Sequence, residues 1–180
     1  MKKVVLVFGL ISGAISSALM FITLPLINRG VLGHSLVIGY TTIFLSFLLV
    51  FFGIRSYREK AGGTISFGRA TAVGLLITLI SCAFYVASWE ILYYKLMPDF
   101  VDNYAARSIN EMREKGATET AIAAKKIEME KMKALYNNPL INVAFTLIEP
   151  FPVGLIVTLV SAAILRRRSP LPVRGAAQAA

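Results

Sequence analysis

Apolar residues run along this chain in four long blocks separated by polar punctuation, without the wet stripe of a surface helix. "VVLVFGLISGAISSALMFITLPLI" covers residues 4–27, and "LVIGYTTIFLSFLLVFFGI" covers 36–54. "ATAVGLLITLISCAFYVASWEILYY" covers 70–94, and a fourth block occupies 140–165. At about 1.5 Å of rise per residue, about 20 apolar residues carry a helix across the hydrocarbon of a bilayer. Each block reaches or approaches that length. The pattern predicts an all-α integral membrane protein with four transmembrane helices. Lys2 and Lys3 before the first block resemble the start of a secretory signal. The apolar run behind them is about twice the usual signal core, so an uncleaved span is expected.

Between the third and fourth blocks the periodicity changes. In residues 95–138 the apolar positions Val101, Tyr104, Ala105, Ile109 and Met112 recur at helical spacing, and Ile122, Met129, Met132 and Tyr136 form a weaker stripe. "KGAT" separates the two, with Gly116 suited to a C-terminal cap and Thr118 to an N-cap. Glu111 with Lys115 and Lys126 with Glu130 have the i,i+4 spacing of helix ion pairs. The segment reads as an amphipathic helical hairpin lying over the mouth of the bundle, or as a docking surface with adaptable methionines. Pro98 and Pro139 bracket it.

Charge orients the chain. Lys2 and Lys3, then Arg55, Arg58, Lys60 and Arg69, then Arg166, Arg167, Arg168 and Arg174 all fall on one side of the four blocks, with Glu59 as their only acidic companion. Cytoplasmic flanks carry the excess of Lys and Arg, so both termini are expected in the cytoplasm and the hairpin on the other side of the membrane. Trp89, Tyr93 and Tyr94 then fall at the outer end of the third span, where an aromatic belt is expected. The formal net charge of +9 is thereby explained as a topological signal and a contact for anionic lipid, and nucleic acid is not implied as a partner.

Composition narrows the chemistry. One cysteine, Cys82, excludes an internal disulfide and a CxxC site, and one histidine, His34, excludes a histidine metal set. Neither has a partner for nucleophilic catalysis, so no enzyme, cofactor or metal site is expected. Residues 1–168 read as a single membrane domain and 169–180 as a disordered cytoplasmic tail.

Small residues recur within the spans. "VGLLITLISCAF" begins at Val73, "VGLIVTLVSAAI" at Val153 and "FGLISGAISSAL" at Phe8. The sets Gly9, Gly13, Ser16; Gly74, Thr78, Ser81; and Gly154, Thr158, Ser161 each occupy offsets zero, four and seven, one face of a helix. Gly39 and Ser46 are a partial version in the second span. Such stripes let helix backbones approach where lipid leaves no hydrophobic drive for association. Common packing demand is favoured over duplication as their origin, because the third and fourth spans run in opposite directions.

Two acidic residues lie inside the spans. Glu90 sits about a turn from the outer end, where headgroup water is within reach. Glu149 is deeper, and Pro150 and Pro152 follow it, each removing a backbone donor. A carboxylate near a helix centre costs about 2.5–3.5 kcal/mol on insertion scales. Glu149 is therefore a candidate functional residue, in a kinked or broken outer half that lines a hydrated vestibule, with proton or cation binding as the alternative to a structural role. Arg69 reads as a snorkelling contact to lipid phosphate, with a ligand anchor as the alternative.

The combination of "FFGIRSYREK", "GGTISFGRA" and "VGLLITLIS", the hairpin from "PDFVDNYAARS" to "ALYNNP", and "EPFPVGLIVTLVSAAIL" resembles the domain of unknown function 4199 family. That is a family of small multi-pass bacterial inner-membrane proteins, mainly from Bacteroidota. The resemblance extends over about residues 3–168, with "ISFGRA" and "EPFPVGL" its most specific parts. It implies a multi-pass membrane protein and supplies no activity. A membrane module that packs with itself or with another membrane protein is expected, with a small oligomeric transporter or proton- or cation-responsive protein using Glu149 as the alternative.

Overall fold

A computed structural model describes residues 1–29 and 36–166. His34, Arg167, Arg168, Arg174 and the tail 169–180 lie outside the described residues. The chain forms α1 (Lys2–Asn28), α2 (Leu36–Lys60), α3 (Phe67–Ile91), α4 (Phe100–Glu114), α5 (Glu119–Tyr136), α6 (Pro139–Ile148) and α7 (Pro150–Leu165). No strand occurs among the described residues. Four helical stretches are long and apolar enough to cross a membrane: Lys2–Ile27, Val37–Lys60, Phe67–Leu96 and Pro139–Leu165.

The bundle is inside-out in polarity. Ser12, Ser46, Thr78, Ser81 and Thr158 are buried, while Leu10, Ile22, Phe44, Ile156 and Ile164 are exposed. Hydroxyls at helix contacts satisfy themselves on carbonyls: Ser12 donates across to the Ser46 carbonyl at 2.8 Å, and Ser81 donates back to Ile77 at 3.0 Å. Lipid-facing positions need no polar cover, so the large aliphatic side chains point outward.

The small-residue stripes are where backbones meet. A Cβ on Gly9 would stand 2.9 Å from Ile80 Cβ, and one on Gly13 would stand 2.6 Å from Phe84 Cγ, so α1 can lie against α3 only through glycine. The two "VGL..TL.S" copies face each other antiparallel. Thr158 Cγ2 fills the space over Gly74, Thr78 Cγ2 fills the space over Gly154, and the two threonine hydroxyls lie 3.1 Å apart. Thr78 also reaches the Gly154 carbonyl at 3.4 Å. Each copy's glycine thus receives the other copy's threonine, a local pseudo-two-fold arrangement made possible by the antiparallel course. Ser161 is buried on the same face of α7, and Ser16 donates to the Gly13 carbonyl of its own helix. Gly53 on α2, outside the recognised stripes, is equally tight, with Ile77 Cδ1 2.5 Å from a built Cβ.

Helix ends follow local chemistry. Gly62 and Gly63, at φ +84° and +83°, turn the chain out of α2, and the Gly63 N–H donates to the Arg58 carbonyl. Gly116, at φ +73°, ends α4, and Thr118 caps α5 by accepting from the Ala121 N–H. The helix of the third span does not stop at Ile91 but widens into a π-helical turn, Leu92–Leu96, closed by the Met97 N–H on the Leu92 carbonyl at 2.7 Å.

Two sequence expectations need correction. The stretch before Glu149 is not irregular: α6 is a regular helix from Pro139 to Ile148, and Glu149 keeps helical dihedrals of −71° and −59°. Pro150 and Pro152 fall in the first turn of α7, where a missing N–H costs little, so the break is confined to one residue. Trp89 and Tyr93 also do not form a lipid-facing belt. Tyr93 is buried, and Trp89 stacks on it and packs edge-on against Phe100 and Tyr136 of the hairpin helices. The hairpin covers the surface that the belt would have presented.

Candidate functional site

A cavity of about 310 Å³ lies at the end of the bundle that carries the hairpin. Its walls come from six helices: Ser16 and Met20 of α1, Gly39 and Tyr40 of α2, Tyr85 and Trp89 of α3, Phe100 and Tyr104 of α4, Met132 and Tyr136 of α5, and Thr146 of α6. Glu149, at the junction of α6 and α7, completes it. The hairpin closes the end because its two apolar stripes turn inward, burying Val101, Ile122 and Met129. Arg107 ties α4 to the end of α1 through the Ile27 carbonyl, and Tyr94 donates to the Tyr136 carbonyl at 3.4 Å.

Glu149 is the only formally charged side chain among the described residues that line this cavity. Tyr85 donates its phenol to Glu149 Oε2 at 2.9 Å. No lysine, arginine or histidine of the described residues forms an ion pair with it. Tyr136, at the end of α5, is pushed above the ordinary tyrosine pKa by burial first and then by the neighbouring Glu149 carboxylate, with Tyr93 and Tyr104 adding to it. Tyr85 is thus the phenol in contact with the acid, and Tyr136 lies near it. The break at Glu149 and the buried ring of Pro150 place the carboxylate here, since Pro150 packs with Ser81 and Tyr85 immediately below.

A polar brace that the sequence reading missed holds the wall. Asn142 is fully buried, accepts from Trp89 Nε1 at 2.7 Å and donates to the Tyr136 carbonyl at 3.3 Å. Thr146 donates to the Asn142 carbonyl at 2.8 Å. One amide thus joins α3, α5 and α6. An asparagine inside an apolar span is its signal in the sequence, fainter than that of a formal charge.

The other candidate residues are not brought to Glu149. Pro152 is exposed on the first turn of α7. Arg69 is exposed at the start of α3, where its backbone N–H meets the Ser66 cap at 3.4 Å, far along the bundle from the cavity. Glu90 lies beside Trp89 but does not line the cavity; it is half-buried, with its Oε1 buried and without a hydrogen-bond partner among the described residues. Of the two expected hairpin pairs, Glu111 and Lys115 meet at 3.9 Å, whereas the short contacts on α5 are Lys125 with Glu128 at 2.9 Å and Lys133 with Asp102 of α4 at 2.6 Å. No three His, Cys, Asp or Glu among the described residues could hold a metal ion together.

No curated protein and no solved structure matches the chain. A family model described as "Protein of unknown function (DUF4199)" matches residues 7–167, nearly the whole length, over both the bundle and the hairpin, and the chain belongs to that family.

Proposed function

We propose that this protein is a non-enzymatic membrane module whose working part is the cavity beneath the hairpin. The observation that carries the reading is the cavity's single charged group among the described residues: Glu149, midway along a span at the α6–α7 junction, exposed at the cavity wall and bonded by the Tyr85 phenol at 2.9 Å. Charged groups inside spans are costly and mark binding or ion pathways unless they are neutralised by a partner. With one carboxylate, phenols and hydroxyls, the cavity has the makings of a binding site. Cys82, the one thiol of the chain, is buried mid-helix and away from the lining.

The inner membrane is the proposed location, with the hairpin outside and both termini cytoplasmic. Support comes from the basic residues gathered at the end opposite the hairpin, among them Lys2, Lys3, Arg55, Arg58, Lys60 and Arg69. A reporter fused after Arg168 is expected to signal from the cytoplasm; a signal from the other side would reverse the orientation. The partners in this reading are the lipid bilayer and either further copies of the chain or another membrane protein. Co-purification from native membranes identifies which.

A second reading, an oligomeric transporter or proton- or cation-responsive protein, draws on the same Glu149. Four spans are few for a lone transporter, so it requires self-association. Glu149→Gln, compared with the native chain for growth and for proton or cation flux in reconstituted vesicles, separates the two. Unchanged flux removes the transport reading; a lost flux favours it over a static module.

A further inference from the structure

Building on the reading of the cavity as the working site, we infer that its occupant is an amphiphile bearing one organic cationic head group. The charge would sit between the Glu149 carboxylate and the surrounding aromatic rings. Three observations converge on that chemistry.

The first is charge balance. Glu149 has a hydrogen bond from Tyr85 but no cationic neighbour among the described residues. A neutral donor satisfies one oxygen and leaves the negative charge uncompensated. A ligand cation seated in the cavity supplies a countercharge to this exposed carboxylate at its wall.

The second is the character of the walls. Tyr40, Tyr85, Trp89 and Tyr136 line the same space as Glu149, Trp89 being stacked on Tyr93 and Tyr136 on Phe145. Aromatic faces attract cations, tryptophan most strongly, and cages of this composition suit alkylated ammonium groups. A divalent metal ion is a poor fit, because beside its neutral hydroxyls the described lining offers one carboxylate to balance two charges.

The third is size and access. About 310 Å³ is at the small end of organic ligand sites, which run from about 300 to 1,000 Å³, so it holds a head group and a short apolar body. Along this cavity α2 packs on α1, α3 and α7, while neither α4 nor α6 makes a sustained contact with it. A longer tail has a lateral way out between α2 and α6, towards lipid.

The test exploits the single tryptophan of the chain, Trp89, which lines the cavity. The full chain in lipid nanodiscs is titrated with benzyltrimethylammonium and with neopentylbenzene, its uncharged carbon isostere, at matched concentrations in the bilayer. The emission of Trp89 is the readout. The expected result is saturable binding of the cation with a Kd at least about tenfold below that of the isostere, and loss of this preference in Glu149→Gln. Equal binding of both probes by the native chain overturns the cationic assignment and leaves the binding cavity standing. Binding of neither overturns both. A preference that survives in Glu149→Gln overturns Glu149 as its seat. The native comparison decides the head-group charge even where the variant fails to fold.

Discussion

The Trp89 indole donates to the Asn142 side-chain carbonyl at 2.7 Å, and the asparagine that receives it is wholly buried within a membrane-spanning helix. That amide also binds the last carbonyl of α5, so the span, the hairpin and the cavity wall share one side chain. Asn142→Leu removes the acceptor and strands the indole N–H. Intramembrane hydrogen bonds average about 0.6 kcal/mol, and an unmet buried donor costs about 1–3, so a loss of about 1–2 kcal/mol is expected. Thermal unfolding in detergent measures it. A double-mutant cycle with Trp89→Phe should show that the two losses do not add. Additive losses would mean that the bond contributes nothing.

The reciprocal seating of Thr78 on Gly154 and Thr158 on Gly74 makes a sharper prediction. Gly154→Ala places a methyl group where Thr78 Cγ2 already stands, and overpacking of this kind costs about 1–3 kcal/mol. Thr78→Ser deletes that methyl while keeping the hydroxyl bonded towards Thr158. The double variant should therefore recover part of the stability lost by Gly154→Ala alone, the rest being the contact of the added methyl with Phe47 Cζ at 2.9 Å. Gly74→Leu admits no such relief and should lower yield and melting temperature together. Melting curves in one detergent settle both; a normal Gly74→Leu would remove the stripe as a packing device.

How far the sequence reached depends on the kind of signal. The four spans were legible because twenty apolar residues in a row have few other uses. The stripes were legible because close helix approach admits only small side chains, and Gly116 and Thr118 because caps are local chemistry. What the sequence hid was tertiary. Tyr85 is an ordinary aromatic residue until its phenol is found on Glu149. Trp89 and Tyr93 have the placement of a belt, and only the docked hairpin turns them inward. The two prolines raised an expectation of a kinked or broken outer half; the helix does break at Glu149, but their place in the first turn of α7 confines the break to that residue.

Those prolines should behave differently from each other. Both lack an N–H, but Pro150 is fully buried against its neighbours, while Pro152 is exposed. Pro150→Ala opens a void next to Ser81 and Tyr85 and is expected to cost about 1–3 kcal/mol, with a change in Trp89 emission as the cavity wall relaxes. Pro152→Ala restores a backbone donor on an open face and should fall within about 0.5 kcal/mol of the native chain. Equal effects at the two positions would show that the kink, not the buried ring, sets the geometry.

Asp102 and Lys133 join α4 to α5 at 2.6 Å on the exposed side of the hairpin. The hydrogen bond from Lys133 to Asp102 raises the lysine pKa above its ordinary 10.5, against a smaller opposing effect of desolvation. A raised pKa means that the folded hairpin holds this proton more tightly than the unfolded chain does. Its stabilising contribution is thus intact below about pH 10.5 and disappears as the pH rises through the higher folded value. Lys133→Met should lower the melting temperature slightly at pH 8. It should also flatten the further fall that the native hairpin shows above pH 10.5. Because both groups are exposed, added salt should shrink the difference at pH 8. An identical melting profile for the two chains from pH 8 to 11.5, at low salt, would mean that the apolar faces of α4 and α5 hold the hairpin without help from this pair.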